Sequence, residues 1–540
     1  MGLEAVRKHP GVSTPGYFRI VPFGTAGRVQ VMAVCKDRRP KIMGCGAPQP
    51  YRETSLGSQK LLDPVRKWGY KKIRWQTLNQ AVMKIHIKKL FIALVLLSIL
   101  DIPFSNAHAQ GALTPPGAPA PTMKSLDQIY TQIGAVSDQR IAVNATNTPG
   151  SPLTALYIIS QPGSYYLTTN LLGVSGKNGI EITANNVTLD LNGFAVQGVS
   201  GIAAGILLEN VITNITVRNG AVSSWGSGGV YCVSASSANV VVEDVNVSAN
   251  TNGGGIILNG PGVVRGCNCQ NNGSGIICSG GLVSDCTADN NGGGITMISG
   301  VVSGCTANNN KYDGLFVDNA SIIGCNVFSN LDYGITVGNN CVIKDCSVCA
   351  NYDGIFLNSV SATNNTVIAC SVSKNSINGV SVGIYSNVRD CVIDNNGAAG
   401  LSAGSFSTIS GCIVSGNGAS GIDAASSIRV KVTDCTADSN GGYGINVSGD
   451  SMITGCHASA NGGVSAHAAG INTLNGSGSR VDGNQVRDNY GYGIQAGTGD
   501  VVIRNFAGSN STNFLTTSGA NFGPIETPSA MTNALGNIAY

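Results

Sequence analysis

Residues 311–330 read KYDGLFVDNASIIGCNVFSN. The next two stretches repeat the pattern as LDYGITVGNNCVIKDCSVCAN (331–351) and YDGIFLNSVSATNNTVIACSVSKN (352–375). Each has a glycine followed by an apolar residue near its start, and each ends in a cysteine, four residues and an asparagine. Carried along the chain, the cysteine column is Cys267, Cys286, Cys305, Cys325, Cys346, Cys370, Cys391, Cys412, Cys435 and Cys456. Five residues after each comes Asn272, Asn291, Asn310, Asn330, Asn351, Asn375, Asn396, Asn417, Asn440 and Asn461. An eleventh unit keeps Asn489 but has Asn484 in the cysteine column. The opening glycines run from Gly255 to Gly493 at about 22 residues per unit, the length of one solenoid repeat.

Within a unit the apolar residues alternate: Ile335 and Val337 in one run, Cys346 and Val348 in another. A period of two predicts strands. A unit this short holds two or three of them with turns, and stacked units place equivalent strands in parallel about 4.8 Å apart. The residue before each cysteine is nearly always Gly or Asp (Gly266, Asp285, Gly304, Gly324, Asp345), which marks a bend. The asparagine closing each unit suits a left-handed turn position and can bond its neighbour one coil up. These glycine units and C-x4-N ladders resemble the right-handed parallel β-helix of the pectate-lyase-like superfamily, in particular secreted bacterial repeat proteins of the carbohydrate-binding and sugar-hydrolase type. GSYYLTTNL (163–171) and NNVTLDLNGFAV (185–196) look like opening coils of that group. The resemblance implies an all-β solenoid of about 15 coils with a short N-terminal helical cap.

The segment from Met83, MKIHIKKLFIALVLLSILDIPFSNAHAQ, carries basic Lys84, Lys88 and Lys89, then an apolar run from Leu90 to Leu100, too short to span a bilayer comfortably. Ala107-His108-Ala109 precedes Gln110. That order predicts a secretory signal peptide over 83–109, cleaved after Ala109, and a secreted or cell-envelope protein. Residues 1–82, with 15 Lys+Arg against 4 Asp+Glu, then read as a mis-assigned upstream region. Residues 110–160 read as a flexible lead and an N-terminal cap, 161–514 as the β-helix and 515–540 as a C-terminal cap. Residues 110–540 hold 14 Lys+Arg and 24 Asp+Glu. This acidic balance removes the electrostatic support for nucleic-acid binding, and no membrane span is expected after cleavage.

Fifteen cysteines follow the cleavage point, an odd number. Ten share one inward column, where neighbouring Cβ atoms stay at the strand spacing of about 4.8 Å, whereas a disulfide needs about 3.8 Å. The column therefore reads as buried free thiols acting as small hydrophobes. A buried hydroxyl lacking a partner at Cys391 would then cost about 1–3 kcal/mol. Cys346 and Cys349 spell C-x-x-C, but Cys349 falls in an outward column with Asp289, Phe328 and Asp394, so no metal site is assigned.

Two clusters are candidates for chemistry. Lys311, Tyr312, Asp313, Asp332, Tyr333, Tyr352 and Asp353 follow the asparagine turn on three successive coils. Tyrosine rings suit stacking on sugars and carboxylates bond sugar hydroxyls; ordinary turn residues are the plain alternative. Asp438, His457 and Arg487 project outward on consecutive coils further on, with His467 in the nearby loop GGVSAHAAG. A base, a cation and a carboxylate together suit proton abstraction beside a uronate carboxylate, against solvated surface residues. The paired aspartates and Gly-His-Gly of polygalacturonase-like members and the Asp-Pro-His segment of alginate epimerases are absent. Calcium is left open as a bridging ion, with no assignable ligands and no other cofactor. Polysaccharide is the partner class the resemblance implies. The readings are a carbohydrate-associated binding or structural protein, a polysaccharide lyase or glycoside hydrolase with a surface groove, and an adhesin-like stalk. The signal peptide argues against a phage tailspike.

Overall fold

The computed structural model describes residues 138–540 apart from 200, 202, 358–361, 464–467 and 516, together with Ser125 and Gln128. The chain divides into Met1–Ala118 and Pro119–Tyr540. The expected upstream region and signal peptide lie outside the described residues, as does most of the expected cap. Ser125 and Gln128 exchange reciprocal backbone-to-side-chain hydrogen bonds of 3.1 Å, the pairing found at helix starts.

From Ile141 onward the elements are strands, save one 3-10 turn at Pro528–Ala530. Each full turn of the coil has three. In the unit quoted second they are Ile335–Val337, Val342–Lys344 and Ser347–Cys349. Every one pairs in parallel with its counterparts one turn away: Ile335 with Leu315 and Ile355, Ile343 with Ile322 and Val367, Val348 with Val327 and Val372. The first strands make one stack of seventeen, and the coil has about 18 turns. Strands such as Thr213–Ser223 join the same coil without the Gly–Cys–Asn signature, and pairing runs on to Asn537–Ala539. The core is the stacked inward residues, among them Ile335, Ile343, Cys346 and Val348.

The corners follow one rule. Asn340, Asp345 and Ala350 all have φ between 50 and 60°, and each is followed by a buried inward residue: Cys341, Cys346 and Asn351. A left-handed residue interrupts strand alternation, so the next side chain swings inward instead of out. The left-handed position expected at the asparagines therefore lies one residue earlier, at Asn271, Asn290, Asn309, Ser329 and Ala350. The asparagines themselves turn into the core. Asn351 donates its backbone N–H and its Nδ2 to Asn375 Oδ1 at 3.0 and 3.1 Å, and Asn375 does the same to Asn396 at 3.1 and 2.9 Å. The ladder extends from Asn250 to Asn510.

Residues before the ladder cysteines sit at the second corner in the left-handed region, as their Gly and Asp identities suggested. A Cβ on Gly266 would lie 2.5 Å from Asp244 Oδ1, and one on Gly411 2.8 Å from Asp390 Oδ1. Where the aspartate leans over the next coil, as Asp244 and Asp390 do, that coil has room at the corner only for glycine. All fifteen cysteines from Cys232 to Cys456 are free, and all but Cys349 are buried. The thiols are not without partners. Cys391 Sγ lies 3.2 Å from Arg389 O and 3.8 Å from Val367 O, so a serine hydroxyl there inherits an acceptor and the expected penalty for an orphan hydroxyl does not apply. Beyond Cys456 the column becomes a second asparagine ladder through Asn484, Asn505 and Asn537.

Candidate functional site

The third corner leads into the turn before each opening glycine. That glycine is required by close approach: a Cβ on Gly334 would lie 2.7 Å from Asn351 Nδ2, Gly354 O and Val348 Cγ1. Three successive turns read Tyr312-Asp313-Gly314, Asp332-Tyr333-Gly334 and Tyr352-Asp353-Gly354. Backbone bonds stack them, with Gly314 N donating to Tyr333 O at 2.9 Å and Gly334 N to Asp353 O at 2.8 Å. The column next to the glycines is therefore Asp313, Tyr333, Asp353, and the column outside it Tyr312, Asp332, Tyr352. Acid and phenol alternate in both directions, a checkerboard that places a phenol between the two acids of the inner column and the one acid of the outer column between two phenols.

Phe316, Thr336 and Phe356 form the adjoining outward row of the first strands. The Tyr333 ring stacks on Phe356 with centroids 4.2 Å apart and planes 5° from parallel, and Tyr352 meets Tyr333 edge-on at 6.4 Å. Thr336 is only 3% exposed, and its Oγ1 has no hydrogen bond of normal geometry. It lies close enough to the Asp313 carboxyl to favour the ionised form. Burial nevertheless dominates at Asp313 and pushes its carboxyl up to about 6, with the Asp332 charge adding to the rise. Asp332 is raised by burial and by Asp353; Asp353 is raised by burial, opposed by the Asn378 N–H, which it accepts at 2.8 Å. Burial and the three carboxylates together raise Tyr333.

Tyr312 and Tyr352 are about half exposed and form the outer rim. Lys311 Nζ sits 5.5 Å from the Tyr312 ring centre, within cation–π range. Beside these two residues is a depression of about 500 Å³, lined further by Thr251, Asn271, Asn290 and Gly292. It exists because the turns before Lys311 are short and glycine-rich. The site thus joins half-exposed rings, partly desolvated carboxyls and polar turn atoms, a combination suited to holding a hydroxylated ring.

The second cluster is less gathered. Asp438 and Arg487 share an outward column with Ser459 between them, whereas His457 lies in the neighbouring column between Thr436 and Gln485. Asp438 accepts from Ser439 Oγ at 2.9 Å and from Ser459 Oγ. Arg487 lies 3.6 Å from Asp488, and Arg480 is bound to Asp482 at 2.8 Å. No hydrogen bond or ion pair joins Asp438, His457 and Arg487, and His467 lies outside the described residues. The sequence reading missed Thr336, Phe356 and Asn378. The period of two that put Ile335 and Val337 inside also puts Thr336 and its row outside, so their signal was present in the strand pattern.

Comparison with known proteins agrees with this coil. The family model for the right-handed beta helix region matches residues 401–507. The protein is a right-handed parallel β-helix. Similar solved structures include a mannuronan C-5 epimerase A-module from Azotobacter vinelandii (14% identity, 70% of this chain and 89% of that one, TM-score 0.24). Others are a periplasmic alginate epimerase (13%, 70% and 84%, 0.31) and a pectate lyase (16%, 59% and 70%, 0.25). At these identities and scores the likeness says nothing about what this chain binds. No curated protein sequence matches the chain.

Proposed function

We propose that the protein is a secreted or cell-envelope β-helix that binds polysaccharide on its outer face through the Tyr–Asp checkerboard. The observation that carries this reading is the gathering, over three turns, of stacked and half-exposed rings with three carboxyls that burial holds above their ordinary range. Desolvated acids on a surface cost stability, and such groups concentrate where a ligand uses them. Export follows from the leader expected at 83–109. Among the described residues no helix is long and apolar enough to cross a membrane. The test is a glycan array probed with the full chain and with Tyr352→Ala. Binding should appear with the parent and fall at least tenfold in the variant; equal binding by both would remove the checkerboard from the account.

A second reading is glycoside cleavage, favoured by Asp313 alone. A carboxyl titrating near 6 is poised to give a proton near neutral pH, with Asp332 or Asp353 as the second carboxyl. New reducing ends that vanish in both Asp313→Asn and Asp353→Asn would establish it. Retention on glycans without product leaves the binding role.

A further inference from the structure

We propose that the ligand of the checkerboard is a neutral pyranoside chain and not a polyuronate, an assignment that rests on the carbohydrate-binding reading above. Asp313, Asp332 and Asp353 occupy three consecutive turns. The charged groups that act on them and on Tyr333 are one another, with no cation among them. The cationic residue of the patch, Lys311, is placed over the Tyr312 ring at the rim and, among the described residues, forms no ion pair. A uronate chain would set one carboxylate per sugar against this acidic surface, in a chain that is itself acidic from residue 110 onward. Like charges juxtaposed at an interface reject a partner strongly.

A bridging cation would remove that objection, but among the described residues no three acidic, histidine or cysteine side chains converge to hold one. A neutral sugar meets no such barrier. Its hydroxyls donate to the carboxyls of Asp313 and Asp332, which are not buried as Asp353 is, and its apolar ring face lies on the half-exposed Tyr312 and Tyr352. Beneath them the buried Thr336 hydroxyl faces Asp313 and favours its ionised form.

The experiment is affinity electrophoresis of the full chain at pH 7 through gels containing glucomannan or β-glucan, and through gels containing polygalacturonate or alginate. Each gel is run with and without calcium, at low salt and at high salt. Retardation by a neutral polymer is expected, insensitive to salt and at least tenfold weaker in Tyr352→Ala; uronates should not retard the protein. The Asp332→Asn/Asp353→Asn variant, its fold checked by circular dichroism, should gain mobility loss on polygalacturonate as the repulsion is removed. Uronate retardation of the parent that Tyr352→Ala abolishes, with or without calcium, would overturn the neutral assignment and leave the carbohydrate reading standing. No retardation by any polymer would overturn both.

Discussion

Asp313→Asn is expected to be more stable than the parent above pH 6 and equal to it below pH 4. Burial pushes the Asp313 carboxyl up to about 6, against about 3.9 for an aspartate in an unfolded chain. With the folded value the higher one, the folded protein keeps a proton that the unfolded chain has already released. Stability therefore falls as pH rises through the window from about 4 to about 6. Two units correspond to roughly 3 kcal/mol in full, and solvent screening of a half-buried carboxyl brings the expectation to about 1–2 kcal/mol at pH 7. Asparagine keeps the shape and carries no charge, so it contributes no slope in that window. Asp332 and Asp353 titrate in both proteins and largely cancel in the difference. The assay is the urea midpoint by circular dichroism at half-unit steps from pH 4 to 7.5, parent against variant. A midpoint difference that does not change with pH would show that the carboxyl is hydrated, and the desolvated-acid argument for the site would fail with it.

Asn375→Ala should lower stability by about 2–4 kcal/mol, since it leaves the Asn351 N–H and amide without the acceptor they share in the core; an unchanged urea midpoint would mean the ladder is not buried. Cys391→Ser should cost no more than about 1 kcal/mol, because the hydroxyl gains the Arg389 carbonyl as acceptor; a loss well above that would show the corner cannot shorten the bond from 3.2 Å. Alkylation of the native protein, mapped by peptide mass, should mark Cys349 alone among the fifteen cysteines from Cys232 to Cys456. Rapid labelling of any ladder cysteine would contradict its burial.

The checkerboard was half legible. Tyr312, Asp313, Asp332, Tyr333, Tyr352 and Asp353 stood out because three units place Tyr and Asp before the same glycine. What the repeat alone did not expose was the platform behind them. The stacking of Tyr333 on Phe356 joins a turn residue of one coil to a strand residue of the next, a diagonal that no linear spacing reports. The second cluster shows the reverse. Asp438, His457 and Arg487 lie on consecutive coils, but a shift of two residues within the strand sets His457 in a different outward column and leaves the acid bonded to serines.

The sequence by itself determined the coil: repeat length, parallel pairing, the inward cysteine column and the impossibility of disulfides between stacked cysteines all follow from a period of two and a fixed strand spacing. The tertiary structure decided which residue at each corner is left-handed, that the thiols have carbonyl acceptors, and that Asp313 is desolvated. These depend on how a corner swings the next side chain and on what the adjacent coil lays over it. Both are contacts between residues some twenty positions apart, which the order of residues in one unit does not contain.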